Sequence, residues 1–295
     1  MTESQARQSN STTSVLGRRL GAELLKLRVA AGLTQPQAAK TLTASTAKVA
    51  KMEGGWVPIR DPDIRALCEL YGVRDIGVIG GLLELARIDR ERRKAKGWWD
   101  DYKIRGVMQE YVALENVATA IRSWQTGYIP GLLQAPEYVR AVRQAPVAML
   151  EKGAQPDEQF AATRLARQRR LVEEPPLVLR ALVYEAVLRN IPGGAATAAA
   201  QYQELLRASE LPNVSFRIFP FSGGTHQGLN GPFNIMSFAE PGAMDVVYME
   251  SSYTERWAEG GESAAVYDAL FEKIAEHSLD ERESKVFVEK LRKEL

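Results

Sequence analysis

Cysteine is almost missing from this chain: Cys68 is the single one in 295 residues. That excludes an intramolecular disulfide and removes the usual sign of a secreted, cross-linked fold. Cys68 stands among Ile64, Leu67 and Tyr71 and reads as a small core residue, not a nucleophile. Histidine is nearly as scarce. Neither His226 nor His277 has a Cys or a second His at ligand spacing, so no metal site is expected. The polar N-terminus lacks the apolar segment of a signal peptide, and no apolar run is long enough to span a bilayer. A cytoplasmic protein with no membrane partner is therefore expected. No G-x-S-x-G elbow is present. The Gly-rich stretch FSGGTHQGLNGPF lacks the strand–Gly–helix order of a phosphate-binding loop or dinucleotide fingerprint. The adjacent carboxylates Asp100-Asp101 and Glu173-Glu174 do not face one another and read as solvated surface. No catalytic residue and no cofactor are expected; nothing points to an enzyme.

What is present is ordinary globular composition, 45% hydrophobic and 25% charged, enough for two domains with real cores. The net charge of +1 hides an asymmetry. Residues 1–60 hold nine Lys/Arg against three Asp/Glu, and the chain totals of 38 and 37 leave 29 and 34 for the rest. A basic head on a mildly acidic body suits a head that meets phosphate, although a chance excess on a solvated surface would look the same.

Residues 1–13 are polar and read as a disordered tail. From Val15, the residues Leu16, Leu20, Leu24 and Leu27 form one helical stripe, which Gly32 ends. Thr34 can cap a second, short helix, about Gln35 to Leu42, with Pro36 early in it, where the missing N–H costs nothing. Ser45 can cap a third, Thr46 to Glu53, which Gly54-Gly55 stops. A fourth runs from about Asp63 to Tyr71. Residues 14–75 thus read as one helical domain. Residues 76–96 read as a helical connector whose basic second half, RIDRERRKAK, is either solvated or a DNA-backbone contact. Beyond it, helices are expected over 111–124, from Pro136, over 157–172, over 195–209 and over two closing stretches, 262–277 and 280–294. Strands are expected over 177–184, 214–220, 233–238 and 245–249. Helices cluster before and after the strands, so residues 97–295 read as an α+β domain and not a doubly wound sheet.

The informative stretch is Leu33 to Gly55. It reads as helix, three-residue turn, helix, with small Ala38 and Ala39 where two helices approach. The second of these helices has only Val49 and Met52 as large apolar residues. Its other face holds Thr46, Ala47, Lys48 and Lys51, the small and polar surface a recognition helix presents to the major groove. The bland alternative is a helix-turn-helix used only to bind protein.

These residues resemble the lambda-repressor-like, Xre-type helix-turn-helix family. The likeness runs from Leu16 to Val73, through Leu27-Arg28, Gly32-Leu33-Thr34-Gln35, Ala38-Ala39, Leu42, Ser45, Val49, Met52, Glu53 and Gly55. It implies an N-terminal all-α DNA-binding domain. By this resemblance Gln35 clamps phosphate or reaches toward a base, Ser45 caps the recognition helix, and Thr46, Ala47, Lys48 and Lys51 face double-stranded DNA. Arg28 and Glu53 match positions that form a structural ion pair. Thr43 stands where the family usually has Gly, so a strained or lengthened turn is expected. Ala47 lacks polar reach, which shifts specificity toward DNA shape.

A second resemblance covers roughly 97–290. It rests on Gly97-Trp98-Trp99, on Tyr128-Ile129-Pro130-Gly131-Leu132-Leu133-Gln134, on Leu211-Pro212-Asn213-Val214, on Pro220-Phe221 and His226, on Gly231-Pro232-Phe233, and on Val246-Val247-Tyr248-Met249-Glu250. Together these are similar to the uncharacterised domain that follows Xre-type helices in many actinobacterial regulators. This resemblance implies a small partner protein, as in an antitoxin. Trp98, Trp99 and His226 are the candidate ligand or partner surface. Their plainer roles are a wedge fixing the connector, for the tryptophans, and a loop satisfied by backbone, for the histidine. The Arg164, Arg167, Arg169, Arg170 run is either a solvated helix face or a dock for an acidic partner. The expectation is a transcriptional regulator, homodimeric because one recognition helix reads too few bases. The alternative is an antitoxin-like interaction module with DNA binding as autoregulation.

Overall fold

A computed structural model describes residues 14–94, 98, 102, 107–144, 157–239, 245–250, 255–259 and 261–295. The expected tail over 1–13 lies outside the described residues. The chain divides into two compact units, Met1–Lys96 and Gly97–Leu295.

The N-terminal unit is helical: α1 (Val15–Ala30), α2 (Gln35–Thr41), α3 (Thr46–Glu53), α4 (Asp61–Leu70) and α5 (Ile76–Lys94). Ser14 caps α1 by accepting from the Gly17 N–H. Gly32, at φ +68°, ends it, with the Leu33 N–H on the Arg28 carbonyl, the left-handed stop that glycine makes without strain. The Thr34 N–H and hydroxyl both donate to Gln37 Oε1 at the start of α2. The core gathers Leu20 and Leu24 of α1, Ala38 and Ala39 of α2, Val49 and Met52 of α3, and Ile64, Leu67 and Cys68 of α4. Cys68 is buried there, and burial pushes its thiol pKa up.

The described part of the expected solvated connector, residues 76–94, differs from that expectation. α5 closes the helical core with buried Leu82 and Ala86. Its charges are used locally. Asp89, almost wholly buried, accepts from the Ser14 hydroxyl and pairs with Arg93 at 2.9 Å. Arg90 donates to the Ile59 carbonyl at 2.8 Å and pairs with Asp61. The charge run is one face of an amphipathic helix whose other face is covered, which charge counting alone does not distinguish from a bridge between domains.

The C-terminal unit is α+β. Its elements are α6 (Val107–Val117), β1 (Ala120–Gln125), α7 (Pro136–Gln144), α8 (Asp157–Arg167), β2 (Val178–Tyr184), α9 (Glu185–Arg189), α10 (Gly194–Ala208), β3 (Val214–Phe219), β4 (Phe233–Ser237), β5 (Val246–Glu250), β6 (Glu255–Glu259), α11 (Gly261–Glu276) and α12 (Glu281–Lys293). The strands form one mixed sheet in the order β3-β2-β1-β4-β5-β6. The β1–β2 and β2–β3 pairs are parallel; β1–β4, β4–β5 and β5–β6 are antiparallel.

The helix expected over 111–124 stops at Val117, and its second half is the central strand β1. Ile121 continued the helical spacing of Leu114 and Val117. Pairing on both sides, Ile121 with Leu179 and with Met236, satisfies the backbone better than one further helical turn would. Strand β6 was also unread, because its end residues Glu255 and Glu259 suggest a solvated loop. One sheet face carries Trp124, Phe233, Ile235 and Val247 against Phe271, Ile274 and Ala275 of α11. At the β3 edge, the Leu279 N–H donates to the Ile218 carbonyl and Ser284 Oγ accepts from the Ile218 N–H, which shields the strand from pairing with another chain.

Candidate nucleic-acid interface

The candidate interface is built on α2 and α3. Between them Thr43 has φ +48°, a conformation that β-branched residues adopt only under strain. The Ala44 N–H reaches the Ala39 carbonyl at 2.9 Å, so the turn stays tight. Ser45 Oγ accepts from the Lys48 N–H at 3.2 Å and caps α3. Val49 and Met52 are buried. Thr46, Ala47, Ala50 and Lys51 are exposed on the opposite side, and Lys48 is half-buried. The Lys51 ammonium has no ion-pair or hydrogen-bond partner among the described residues.

Two of the polar residues assigned to DNA have partners within the protein. Gln35 donates from Nε2 to Glu53 Oε2 at 2.8 Å. Glu53 in turn receives Arg28, Nε to Oε1 at 2.6 Å and Nη2 to Oε2 at 3.0 Å, and Arg28 Nη1 donates to the Leu33 carbonyl. Both side chains of this pair are about nine-tenths buried. The Glu53 bond holds the Arg28 pKa above its ordinary value against the opposing cost of burial. The pair therefore ties the end of α1, the start of α2 and the end of α3 together. Lys48 Nζ lies 3.8 Å from Asp63 Oδ2, and Arg60 bonds the same carboxylate.

Sequence reasoning passed over Asp63, Arg60 and the glycines of α1. The signals were available: Arg60-Asp61-Pro62-Asp63 marks a helix start with paired charges, and Gly17 and Gly21 are spaced one helical turn apart. It also gave no role to Trp56. Its indole is half-exposed beyond the recognition helix, with its N–H group of the backbone on the Lys51 carbonyl at 2.8 Å.

In the C-terminal unit, Trp98 donates from Nε1 to Asn116 at 3.2 Å and lies under the Arg169 guanidinium. Trp99 lies outside the described residues. His226 is held by its own loop: Nδ1 accepts from the Gly228 N–H at 3.1 Å, and the ring packs on Phe219 and Trp124. Burial lowers its pKa. Arg167 is buried and bonds Glu115 in a two-pronged pair, Nε to Oε1 at 2.6 Å and Nη2 to Oε2 at 2.7 Å; Arg164, Arg169 and Arg170 do not share that burial. Beside the pair is a half-open cavity, a space of about 220 Å³ with the open solvent in its mouth included, lined by Tyr111, Ser123, Gly131 and Asn234. Its enclosed part is no larger than a water molecule, so it is not a formed ligand pocket. Among the described residues no cluster of His, Cys, Asp or Glu could hold a metal ion, and no helix is long and apolar enough to cross a membrane.

Comparison with known families agrees with this geometry. Residues 19–77 match a helix-turn-helix domain, and residues 108–290 match a domain of unknown function, DUF5753. No curated protein and no solved structure matches the chain. The second match covers more than half of the sequence, and the chain belongs to the DUF5753 family, with a helix-turn-helix domain in front of that family's own domain.

Proposed function

We propose that this chain is a sequence-specific DNA-binding transcriptional regulator of the Xre type, acting as a homodimer in the cytoplasm. The observation that carries the reading is the division of α3: Val49 and Met52 are buried while Thr46, Ala47, Ala50 and Lys51 form an exposed small and cationic face. A helix of this kind presents its free face to the major groove. The Thr46 and Ala47 methyl groups suit thymine, and Lys51 suits phosphate or guanine. Gln35 is the least free of the assigned contacts, since Glu53 holds its amide. A single short helix reads few bases, so two-fold pairing on a palindrome supplies the remaining selectivity. In this reading the C-terminal domain is a binder of a signal or partner protein and not an enzyme.

The test is a gel shift of the purified protein on DNA fragments flanking its own gene, across a salt series, with Lys51→Ala alongside. Fragment-selective binding that weakens with salt and drops about tenfold in the variant is expected, from a lost contact of roughly 1–2 kcal/mol. Binding that does not discriminate between fragments, at every salt concentration, would overturn the reading.

A further inference from the structure

Asp63 belongs to α4, outside the two helices that face DNA, yet both Lys48 and Arg60 reach it. Its Oδ2 lies 3.8 Å from Lys48 Nζ, and its two oxygens accept from Arg60 Nη2 and Nε at 3.1 and 3.2 Å. The side chains are 11% exposed for Asp63, 43% for Lys48 and 71% for Arg60. The carboxylate is thus fixed in the fold, while both cations can swing away. A negative charge in the first turn of α4 also suits the helix dipole. Asp61 already supplies one there, exposed and paired with Arg90. The helix start alone does not account for a nearly buried carboxylate beside the recognition helix.

Building on the DNA-binding reading above, we propose that Asp63 is a counter-charge that DNA displaces, a positioning residue that holds Lys48 and Arg60 in the free protein and limits sequence-independent affinity. Non-specific binding is driven almost wholly by phosphate neutralisation. A cation already paired with a carboxylate gains little by exchanging it for phosphate. The carboxylate left behind, unable to move away, then repels the nearest phosphates. Lys48 leaves Asp63 at least cost where a base offers more than a phosphate does, such as the two acceptors of guanine. The half-buried position of Lys48 and its pairing across helices, from α3 to α4, are what this role requires.

The experiment measures affinity of the full-length protein for a random-sequence duplex and for its own promoter fragment across a salt series, with Asp63→Asn, Asp61→Asn and Asp63→Asn in a Lys48→Ala background. Asp63→Asn is expected to tighten random-duplex binding by about three- to tenfold at low salt. It is also expected to steepen the log–log salt slope by about 0.9, one further phosphate. Asp61→Asn removes the same charge from the same turn and should do clearly less. The gain should shrink when Lys48 is absent. A purely structural Asp63 would lower the melting temperature and weaken binding with the slope unchanged, and that result overturns the proposal. So does an Asp61→Asn effect of equal size. If Asp63→Asn fails to fold by circular dichroism, Asp63→Ser, which keeps an acceptor at the helix start, takes its place; failure of both to fold likewise overturns it. A wild type that binds neither duplex defeats the DNA-binding reading itself, whereas a wild type that binds with Asp63→Asn unchanged defeats this inference alone.

Discussion

A Cβ placed on Gly21 would lie 2.3 Å from the backbone carbonyl oxygen of Glu53. α1 therefore meets the C-terminal end of α3 through bare backbone. The contact is reciprocal, since a Cβ on Gly55, at φ +71°, would lie 2.3 Å from the Arg18 nitrogen. Glu53 is held at the same place by Arg28 and Gln35. The recognition helix is thus clamped at its far end by a close approach and by an ion pair.

Gly21→Ala sets two effects against each other. Alanine in a helix interior gains about 1 kcal/mol over glycine. Forcing a methyl against fixed backbone costs roughly 1–3 kcal/mol, and here neither side is a flexible side chain. The N-terminal unit should lose up to about 2 kcal/mol and melt earlier, with weaker DNA binding. Gly80→Ala in α5, where a Cβ meets nothing within 4 Å, should instead be neutral or slightly stabilising. Equal behaviour of the two variants in thermal denaturation would show that Gly21 makes no such contact.

Thr43 carries the only positive φ among the described non-glycine residues. A left-handed L-residue costs roughly 1–2 kcal/mol, and glycine recovers most of that while adding freedom to the unfolded chain. Thr43→Gly should raise stability by about 0.5–1 kcal/mol. The check is a urea titration: the midpoint should rise with the slope unchanged. A fall would mean that the Thr43 side chain makes a contact worth more than the strain.

The elements whose periodicity and stop signals agree are legible in the sequence. α3 was bounded by Ser45 and by Gly54-Gly55, and β3 was bounded by Asn213 and Pro220. β1 was not, because Ile121 extends the helical spacing of α6 and only its sheet neighbours decide the matter. The face of the recognition helix could be read from the spacing of Val49 and Met52. The occupation of Gln35 by Glu53, and of Lys48 by Asp63, could not, since those partners lie 18 and 15 residues away in sequence and meet only after packing. The role of α5 is hidden for a related reason: a charge run looks the same whether its opposite face is wet or covered, as here, by α1 and α4.

Tyr71 is buried beside the Arg28–Glu53 pair, and its hydroxyl has no hydrogen-bond partner among the described residues. Burial, with Glu53 adding to it, pushes its pKa up to about 12. Tyr71→Phe removes an unsatisfied polar group and should leave neutral-pH stability unchanged or raise it by up to about 1 kcal/mol. The alkaline limb gives a second readout. The unfolded phenol loses its proton near pH 10, while the folded one keeps it until about 12. Between these values the native state binds more protons, so stability falls as pH rises. Phenylalanine at 71 should flatten that fall in the N-terminal unit. An identical alkaline profile in both proteins would show that Tyr71 does not titrate differently on folding.

Glu115 and Arg167 give the C-terminal unit its most demanding electrostatic contact, with relative exposures of 1% and 5%. Burial opposes the Arg167 charge, and Glu115 more than offsets it, so its pKa stands above the ordinary value. The guanidinium also lies over the Tyr111 ring at 5.1 Å, and Gly131 packs on its Nη2 and Nη1, where a Cβ would come within 3.1 and 3.2 Å. A buried pair of this kind is costly to break and inexpensive to replace whole. Glu115→Gln leaves a buried cation without its counter-charge and should cost about 3–5 kcal/mol. The double variant Glu115→Leu with Arg167→Met should recover much of that loss, because apolar groups of similar size need no solvent. Guanidinium denaturation of the full chain, followed through the transition of the C-terminal unit, measures both. A Glu115→Gln loss below about 1 kcal/mol would place water around Arg167, and the open side of the neighbouring cavity would then be the path by which it enters.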